Sequence, residues 1–390
     1  MTSSDNSCRD GGAAGSKQAE RKTESAPKKV LIATFGMDCG GIENFLVNLL
    51  RNADAGRFKF DFSLIRNREY FYSGEIKKRG CGVYTYPFSF KCKLLLGFYA
   101  LSLFGTLLRG GYDVVHANFH WANGPALAIA RICGVKKRIA HIHTTADGFP
   151  DNFFGGLLRF FMRRVIIAFS TDRIACSREA GLKVYGSREE FSVVRNAVDV
   201  RRFSYDELKR TRMRRLLGFG DKTVIGHMGR FEKVKNHVFL LEIFSRFLKT
   251  SPDSVLALAG GGSLEPFIKE RAASMNLSDK VFFLGVRADN AELYQAFDAF
   301  VLPSFHEGLP LCGIEAQISG LPCFFSDAVS RETEIAGCSF LSLSAGAELW
   351  AEALRRKLEG YVRKDMSAEA VKRHFDIRYA AEKISEIYLR

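Results

Sequence analysis

No stretch of this 390-residue chain holds the roughly 18 uninterrupted apolar residues of a membrane-spanning helix, so none is expected. The segment before Ala33 has no apolar run at all, which argues against a signal peptide. The 9 cysteines are odd in number and none stands in a Cys-x-x-Cys pair, so neither a disulfide framework nor a zinc site is expected. An Asp-x-Asp pair is also missing. These absences together point to a reducing cytoplasm.

What is present is globular. Hydrophobic residues make up 47% of the chain and charged ones 26%, and the length predicts two domains. The net charge is +14, and it is unevenly placed. Of the 57 basic and 43 acidic residues, 36 and 20 lie in residues 1–215 and 21 and 23 in 216–390, balances of +16 and −2. A half this basic is suited to a polyanion, either nucleic acid or an anionic membrane surface. A solvated basic surface would carry the same charge.

Residues 1–27 have almost no apolar content and read as a disordered tail. From Lys28 short apolar runs (KKVLIATF, KFDFSLI, YDVVHAN, KRIAHIH, DRIACS) alternate with helix-length segments. That rhythm predicts an α/β domain with a doubly wound parallel sheet over 28–200. It restarts with KTVIGHMG, SVLALAGGG, KVFFLG, AFVLPS and LPCFFS, a second such domain over 201–376. The polar, strand-free run from Arg195 to Arg215 reads as a hinge, and 377–390 as a helix packing back towards the first domain. Two Rossmann-like sheets facing each other place a ligand in the central cleft, at the carboxyl ends of their strands.

The candidate residues sit at those ends. Gly40 and Gly41 follow the first strand and open a helix, where backbone N–H groups can approach an anion, although a tight turn explains them equally well. Arg230 and Lys235 leave the first strand of the second series, and two cations there can neutralise a diphosphate. Gly260-Gly261-Gly262 follows the next strand, as a phosphate or sugar contact or as a mere turn. The segment LPSFHEGLPLCGIEA carries Glu307 and Glu315 either side of a Gly-Leu-Pro loop, placing two carboxylates to serve separate groups of one ligand.

These motifs, with GGIENFLVNLL, RIAHIHTT, IACSREAG, GRFEKVKNH and FLGVRAD, resemble the family-4 retaining glycosyltransferases of the GT-B fold. Within that family the chain is similar to the EpsF-like enzymes of exopolysaccharide and capsule synthesis. The resemblance covers about residues 28–390 and implies a nucleotide-sugar donor, most naturally a UDP-sugar, held mainly by the second domain. It implies Arg230 and Lys235 on the donor diphosphate, Glu315 on the ribose and Glu307 on the donor sugar. Gly40, Gly41, Gly261, Gly262, Gly308, Leu309 and Leu311 would line the donor, with the chain near Arg287 flanking the base. His143 matches the position whose imidazole faces the reacting sugar; His141 shares its face by strand alternation, and His116 and His120 rank below them.

With cations at the leaving group and no Asp-x-Asp pair, no metal or other cofactor is expected. No residue in the motifs is an obvious covalent nucleophile, which favours internal return with the leaving phosphate taking the acceptor's proton. The implied acceptor is a glycan, free or carried on a lipid diphosphate. Residues 91–109 and 153–170 combine bulky apolar residues with basic ones and suggest peripheral attachment to an anionic membrane, at the inner face of the cell membrane. On this reading Arg159, Arg163 and Arg164 drive a salt-sensitive attachment, although sheet-covering helices would look alike. A nucleotide-sugar epimerase of the same fold is the alternative. A nucleic-acid binder is disfavoured, because the signatures of its common modules are absent.

Overall fold

The computed structural model describes residues 26–65, 68–85, 95–144, 149–150 and 152–390, without the side chains of residues 95–97. The expected tail lies outside the described residues up to residue 25, as do residues 91–94 of the first basic-apolar segment.

The N-terminal sheet comprises β1 (Lys28–Thr34), β2 (Phe58–Leu64), β3 (Val83–Thr85), β4 (Val114–Ala117), β5 (Lys137–Ile142), β6 (Asp172–Ala175) and β7 (Ser192–Val193). Their spatial order is β3-β2-β1-β4-β5-β6-β7. The C-terminal sheet comprises β8 (Thr223–Met228), β9 (Ser254–Ala259), β10 (Val281–Gly285), β11 (Ala299–Leu302), β12 (Cys323–Ser326) and β13 (Ser339–Leu341), in the order β10-β9-β8-β11-β12-β13. Every strand pairing is parallel. The order reverses beside β1 and beside β8, so each sheet has a switch point where a ligand crevice opens.

Alternation along the strands explains why both faces of each sheet are covered. In β1, Val30 and Ile32 enter one apolar core while Leu31 and Ala33 enter the other. In β9, Val255, Ala257 and Ala259 face one core of the second domain, and Leu256 and Leu258 the other. The strands therefore read as continuous apolar runs, as a doubly covered parallel sheet requires. The short β3, β7 and β13 carry too few residues for such a run, and the sequence reading missed them. His143 accordingly follows the fifth strand of its sheet, not the fourth.

The supposed hinge is mostly built into the second domain. It forms helices Val200–Phe203 and Glu207–Leu217, and Phe203 and Met213 join the core behind β8. Arg210 and Arg214 both reach Asp298, at 2.6 and 3.1 Å. The chain itself crosses at Ala197–Val198, where Ala197 belongs to the N-terminal core and Val198 to the C-terminal one. The return crossing lies alongside, with Val198 N–H donating to Phe375 O and Ile377 N–H to Val198 O. The last helix, Ile377–Leu389, then packs on the N-terminal domain through Ile377, Ile384, Ile387 and Tyr388.

Candidate active site

Arg230 and Lys235 leave β8 on a turn that the neighbouring glycines hold in place. Gly260 has φ +143°, and a Cβ there would lie 2.0 Å from Gly229 O. A Cβ on Gly262 would lie 2.6 Å from Phe231 O. Phe231 N–H donates to Gly261 O, and Leu264 N–H to Phe231 O. The glycines thus let the β9 loop press backbone to backbone against the Arg230 turn. What the structure shows of Gly261 and Gly262 is this packing.

Lys235 Nζ lies 2.7 Å from Glu307 Oε1, with both side chains largely shielded from water. Ser304 Oγ donates to the same carboxylate oxygen at 3.2 Å. Burial alone would lower the Lys235 pKa, but the Cys312 sulfur and the Glu307 carboxylate outweigh it and raise it, so the ammonium stays charged. Arg230 is exposed, and among the described residues its guanidinium has no ion-pair partner. One cation is therefore held on a carboxylate and the other is open to a ligand.

Glu315 lies on the helix Leu311–Ile318 and is buried. Tyr294 Oη donates to its Oε2 at 2.8 Å. Burial pushes its carboxyl up to about 7, against the pull of the Tyr294 hydroxyl and the Arg202 charge. Leu309 and Leu311, flanking the start of this helix, bury their side chains in the core, which leaves only backbone there for a ligand.

Glu315 opens onto a cavity of about 250 Å³ lying between the domains. One wall is N-terminal, with Cys39, Asn44, Asn48, Arg51 and Tyr72; the other holds Arg202, Arg287, Asn290 and Glu315. The Gly40–Gly41 turn borders this wall, since Cys39 directly precedes it and feels the Glu315 charge. Glu43, two residues beyond, feels the Arg230 charge. The glycine turn and Glu315 thus face one interdomain space, with Arg230 near the start of the helix that the turn opens. Arg287 is tied to Asp289 at 2.5 Å, which fixes the loop after β10 beside the cavity.

The sequence reading had not singled out Tyr72, Arg202, or the Asn44, Asn48 and Arg51 face. The last could have been seen, because i, i+4, i+7 polar positions share one helix face. Arg202 was hidden among the many cations of the supposed hinge.

The histidines form a buried cluster under the same cleft. His143 follows β5 with Nε2 2.8 Å from Asn118 Oδ1 and Nδ1 2.9 Å from Asn196 Oδ1. Burial lowers its pKa to about 4, so the ring is neutral near pH 7 and can donate from only one nitrogen. The Asn118 amide nitrogen donates to His116 O, which leaves its Oδ1 to accept from His143 Nε2–H. Asn196 must then turn its amide nitrogen to Nδ1. In this arrangement His143 has no nitrogen to spare, and a hydrogen bond to a substrate requires Asn118 or Asn196 to let go.

His141 does share the His143 face, with ring centroids 3.9 Å apart, but it is fully buried. Its Nδ1 lies 3.1 Å from His116 Nε2, and His116 Nδ1 lies 2.7 Å from the Tyr388 hydroxyl. His120 opens the turn His120–Ala122 that follows β4, with Nε2 3.1 Å from Thr144 O. Among the described residues no group of three or more His, Cys, Asp or Glu could hold a metal ion.

Residues 39–202 match the model of the family described as Glycosyltransferase Family 4, and residues 209–373 that of Glycosyl transferases group 1. EpsF of Bacillus subtilis (strain 168) is 34% identical over 340 residues, which is 85% of this chain and 88% of that protein. The UDP-Gal:alpha-D-GlcNAc-diphosphoundecaprenol alpha-1,3-galactosyltransferase of Escherichia coli is 30% identical over 236 residues, 58% of this chain and 61% of its own. Anabaena HepE, solved in complex with UDP and glucose, superposes with a TM-score of 0.75 at 18% identity, covering 92% of this chain and 98% of that one. Sucrose-phosphate synthase from Thermosynechococcus elongatus gives 0.72 at 17% identity, covering 93% and 98%.

Proposed function

The chain belongs to the family-4 glycosyltransferases, and from that premise we propose the reaction it performs. A sugar moves from a nucleotide-sugar, with UDP as the nucleotide, to a lipid-diphosphate-linked glycan in the synthesis of a cell-surface polysaccharide. The observation that carries this reading is the interdomain cavity, with Glu315 on one wall and Cys39, just before the glycine turn, on the other. HepE is a fold neighbour whose structure holds UDP and glucose, and the Escherichia coli relative is named for a diphosphoundecaprenol-linked acceptor.

The chemistry follows from charge. Breaking the bond between the anomeric carbon and the donor phosphate leaves a diphosphate with extra negative charge. On this reading Arg230 and Lys235 meet that charge from the β8 side, and the amides at the Gly40–Gly41 turn meet it from the other. Cations at these points make a metal unnecessary for the leaving group. Lys235 must share its charge between Glu307 and the phosphate, which brings Glu307 next to the donor sugar. Glu315, once ionised, can accept from two ribose hydroxyls. The acceptor oxygen bonds to the anomeric carbon on the face the diphosphate leaves, and its proton passes to the leaving phosphate oxygen. His143 contributes to the floor under this centre as a neutral, amide-clamped ring. The enzyme works at the inner face of the cell membrane, where the acceptor lipid resides.

Incubation with a panel of nucleotide-sugars and a lipid-diphosphate glycan tests the reading. Consumption of a UDP-sugar with an anomerically retained product is expected. A panel left wholly unconsumed, or a free epimerised nucleotide-sugar as the only product, would overturn it.

A further inference from the structure

The helix Phe153–Phe169 turns its apolar side outwards. At about 100° per residue, its buried Gly155 and Ile166 share one side with Arg159, Met162 and Arg163. The opposite arc, about 120° wide, runs from Phe160 through Phe153, Leu157 and Phe161 to Phe154. There Phe153, Phe154, Leu157, Phe160 and Phe161 are 79, 77, 55, 55 and 60% exposed. Arg164 is the only charged residue on that arc, and it lies over the Phe160 ring at 5.3 Å. An ordinary sheet-covering helix does the reverse, with apolar residues inward and polar ones to water. Contiguous exposed apolar surface of this kind marks an interaction site.

The two other arginines of the helix are used inside the fold. Arg159 Nη2 donates to Phe149 O at 3.0 Å. Arg163 donates from Nε to Val184 O and from Nη2 to Lys183 O, both at 2.8 Å. These two guanidinium groups tie the helix to its neighbours, which leaves Arg164 as the arginine of the three on the outward side.

Charge and position choose the occupant. The helix contains three arginines and no acidic residue. The helix Leu95–Gly110, on the same face of the sheet, adds exposed Phe98, Leu101 and Leu108 with one arginine and no acid. Such a surface suits an apolar phase bordered by anions, the profile of a bilayer with anionic headgroups. The helix starts after β5, at the strand ends that face the cleft, and it packs beside the His120–Ala122 turn.

We propose that the exposed phenylalanine–leucine comb of the helix Phe153–Phe169 inserts into the membrane interface and seats the cleft over a lipid-borne acceptor. The insertion is apolar, with Arg164 meeting headgroups at its edge. Only the acceptor half of the statement rests on the proposed transferase function.

Flotation of the full chain with vesicles, without donor, tests it. Wild type should bind phosphatidylcholine vesicles containing phosphatidylglycerol and lose no more than about threefold between 0.1 and 0.5 M salt, unlike attachment by exposed charges alone. The Phe153→Ser/Phe154→Ser/Phe161→Ser variant should lose at least about tenfold in vesicle binding. Its circular dichroism and its hydrolysis of soluble donor should stay within about twofold of wild type. A Phe154→Trp variant should show vesicle-dependent quenching by brominated acyl chains, beyond that of wild type. Equal flotation of wild type and the triple variant would overturn the proposal, as would an unquenched Trp. So would a wild-type dimer that ignores vesicles and becomes monomeric in the triple variant, since the comb would then join two copies. Because binding is read without donor, an inactive protein that still floats would defeat the transferase reading and leave the insertion standing.

Discussion

Lys235 Nζ and Glu307 Oε1 stand 2.7 Å apart, joining the turn after β8 to the loop after β11. The same two loops meet through the backbone, where Phe305 N–H donates to Val234 O at 2.8 Å. The pair therefore does two jobs, holding the loops together and carrying a cation for the donor. Lys235→Ala should lower turnover by about 10²-fold or more, the scale of losing a charge-assisted contact to a developing anion. It should also destabilise the fold by about 3 kcal/mol, by leaving Glu307 shielded and unpaired. Lys235→Met/Glu307→Gln should recover most of that stability and none of the activity. Paired denaturation and donor-turnover measurements on both variants check this, and recovered turnover in the double variant would refute the role of Lys235.

Glu315 makes the pH dependence specific. Its carboxyl is raised to about 7 by burial, above the ordinary value near 4.5. Between these values the folded protein keeps a proton that the unfolded chain has lost, so stability without donor falls as pH rises from about 4.5 to 7. The change is of the order of 3 kcal/mol. Donor binding runs the other way, because only the ionised carboxylate accepts from both ribose hydroxyls. Affinity for UDP should strengthen as pH rises through about 7, and both trends should flatten in Glu315→Gln. Calorimetric titration with UDP from pH 5.5 to 8.5 gives the answer.

The apolar runs made both sheets legible in sequence, because a parallel sheet covered on both faces needs every strand residue buried. Arg230, Lys235 and Glu307 fall in the loops that follow two such runs and Glu315 in the helix beyond, and the motifs around them carried the resemblance. What stayed hidden depends on contacts between distant segments. Nothing local in Arg195–Arg215 reveals that Arg210 and Arg214 are spent on Asp298. Asn118 and Asn196 clamp His143 from two other loops, a three-body arrangement that no spacing encodes. The comb on the helix Phe153–Phe169 was visible as composition, but which side it faces depends on how the helix docks.

Arg230 and Lys235 bear on metal dependence as well. If these cations stabilise the leaving diphosphate, turnover in excess EDTA should stay within about twofold of the untreated rate. Arg230→Ala should then fall by about 10²-fold, and added magnesium should restore little of it. Steady-state rates with and without chelator test this. Activity abolished by EDTA and returned only by magnesium or manganese would move the leaving-group charge onto a metal.

The packing of Gly260 against Gly229 gives the Arg230 turn its own test. At φ +143° a side chain is strained, and a Cβ would meet Gly229 O at 2.0 Å. Backbone cannot yield there without moving the turn that carries Arg230. Gly260→Ala should therefore cost about 3 kcal/mol or more in stability and weaken UDP binding as well. Gly218→Ala is the matched comparison. It has φ +68°, and a Cβ there would meet nothing within 4 Å, so only the left-handed backbone cost of about 1 kcal/mol applies. Equal losses of stability in the two variants, with UDP affinity unchanged in both, would show that the glycine loop is an ordinary turn and that Arg230 is positioned without it.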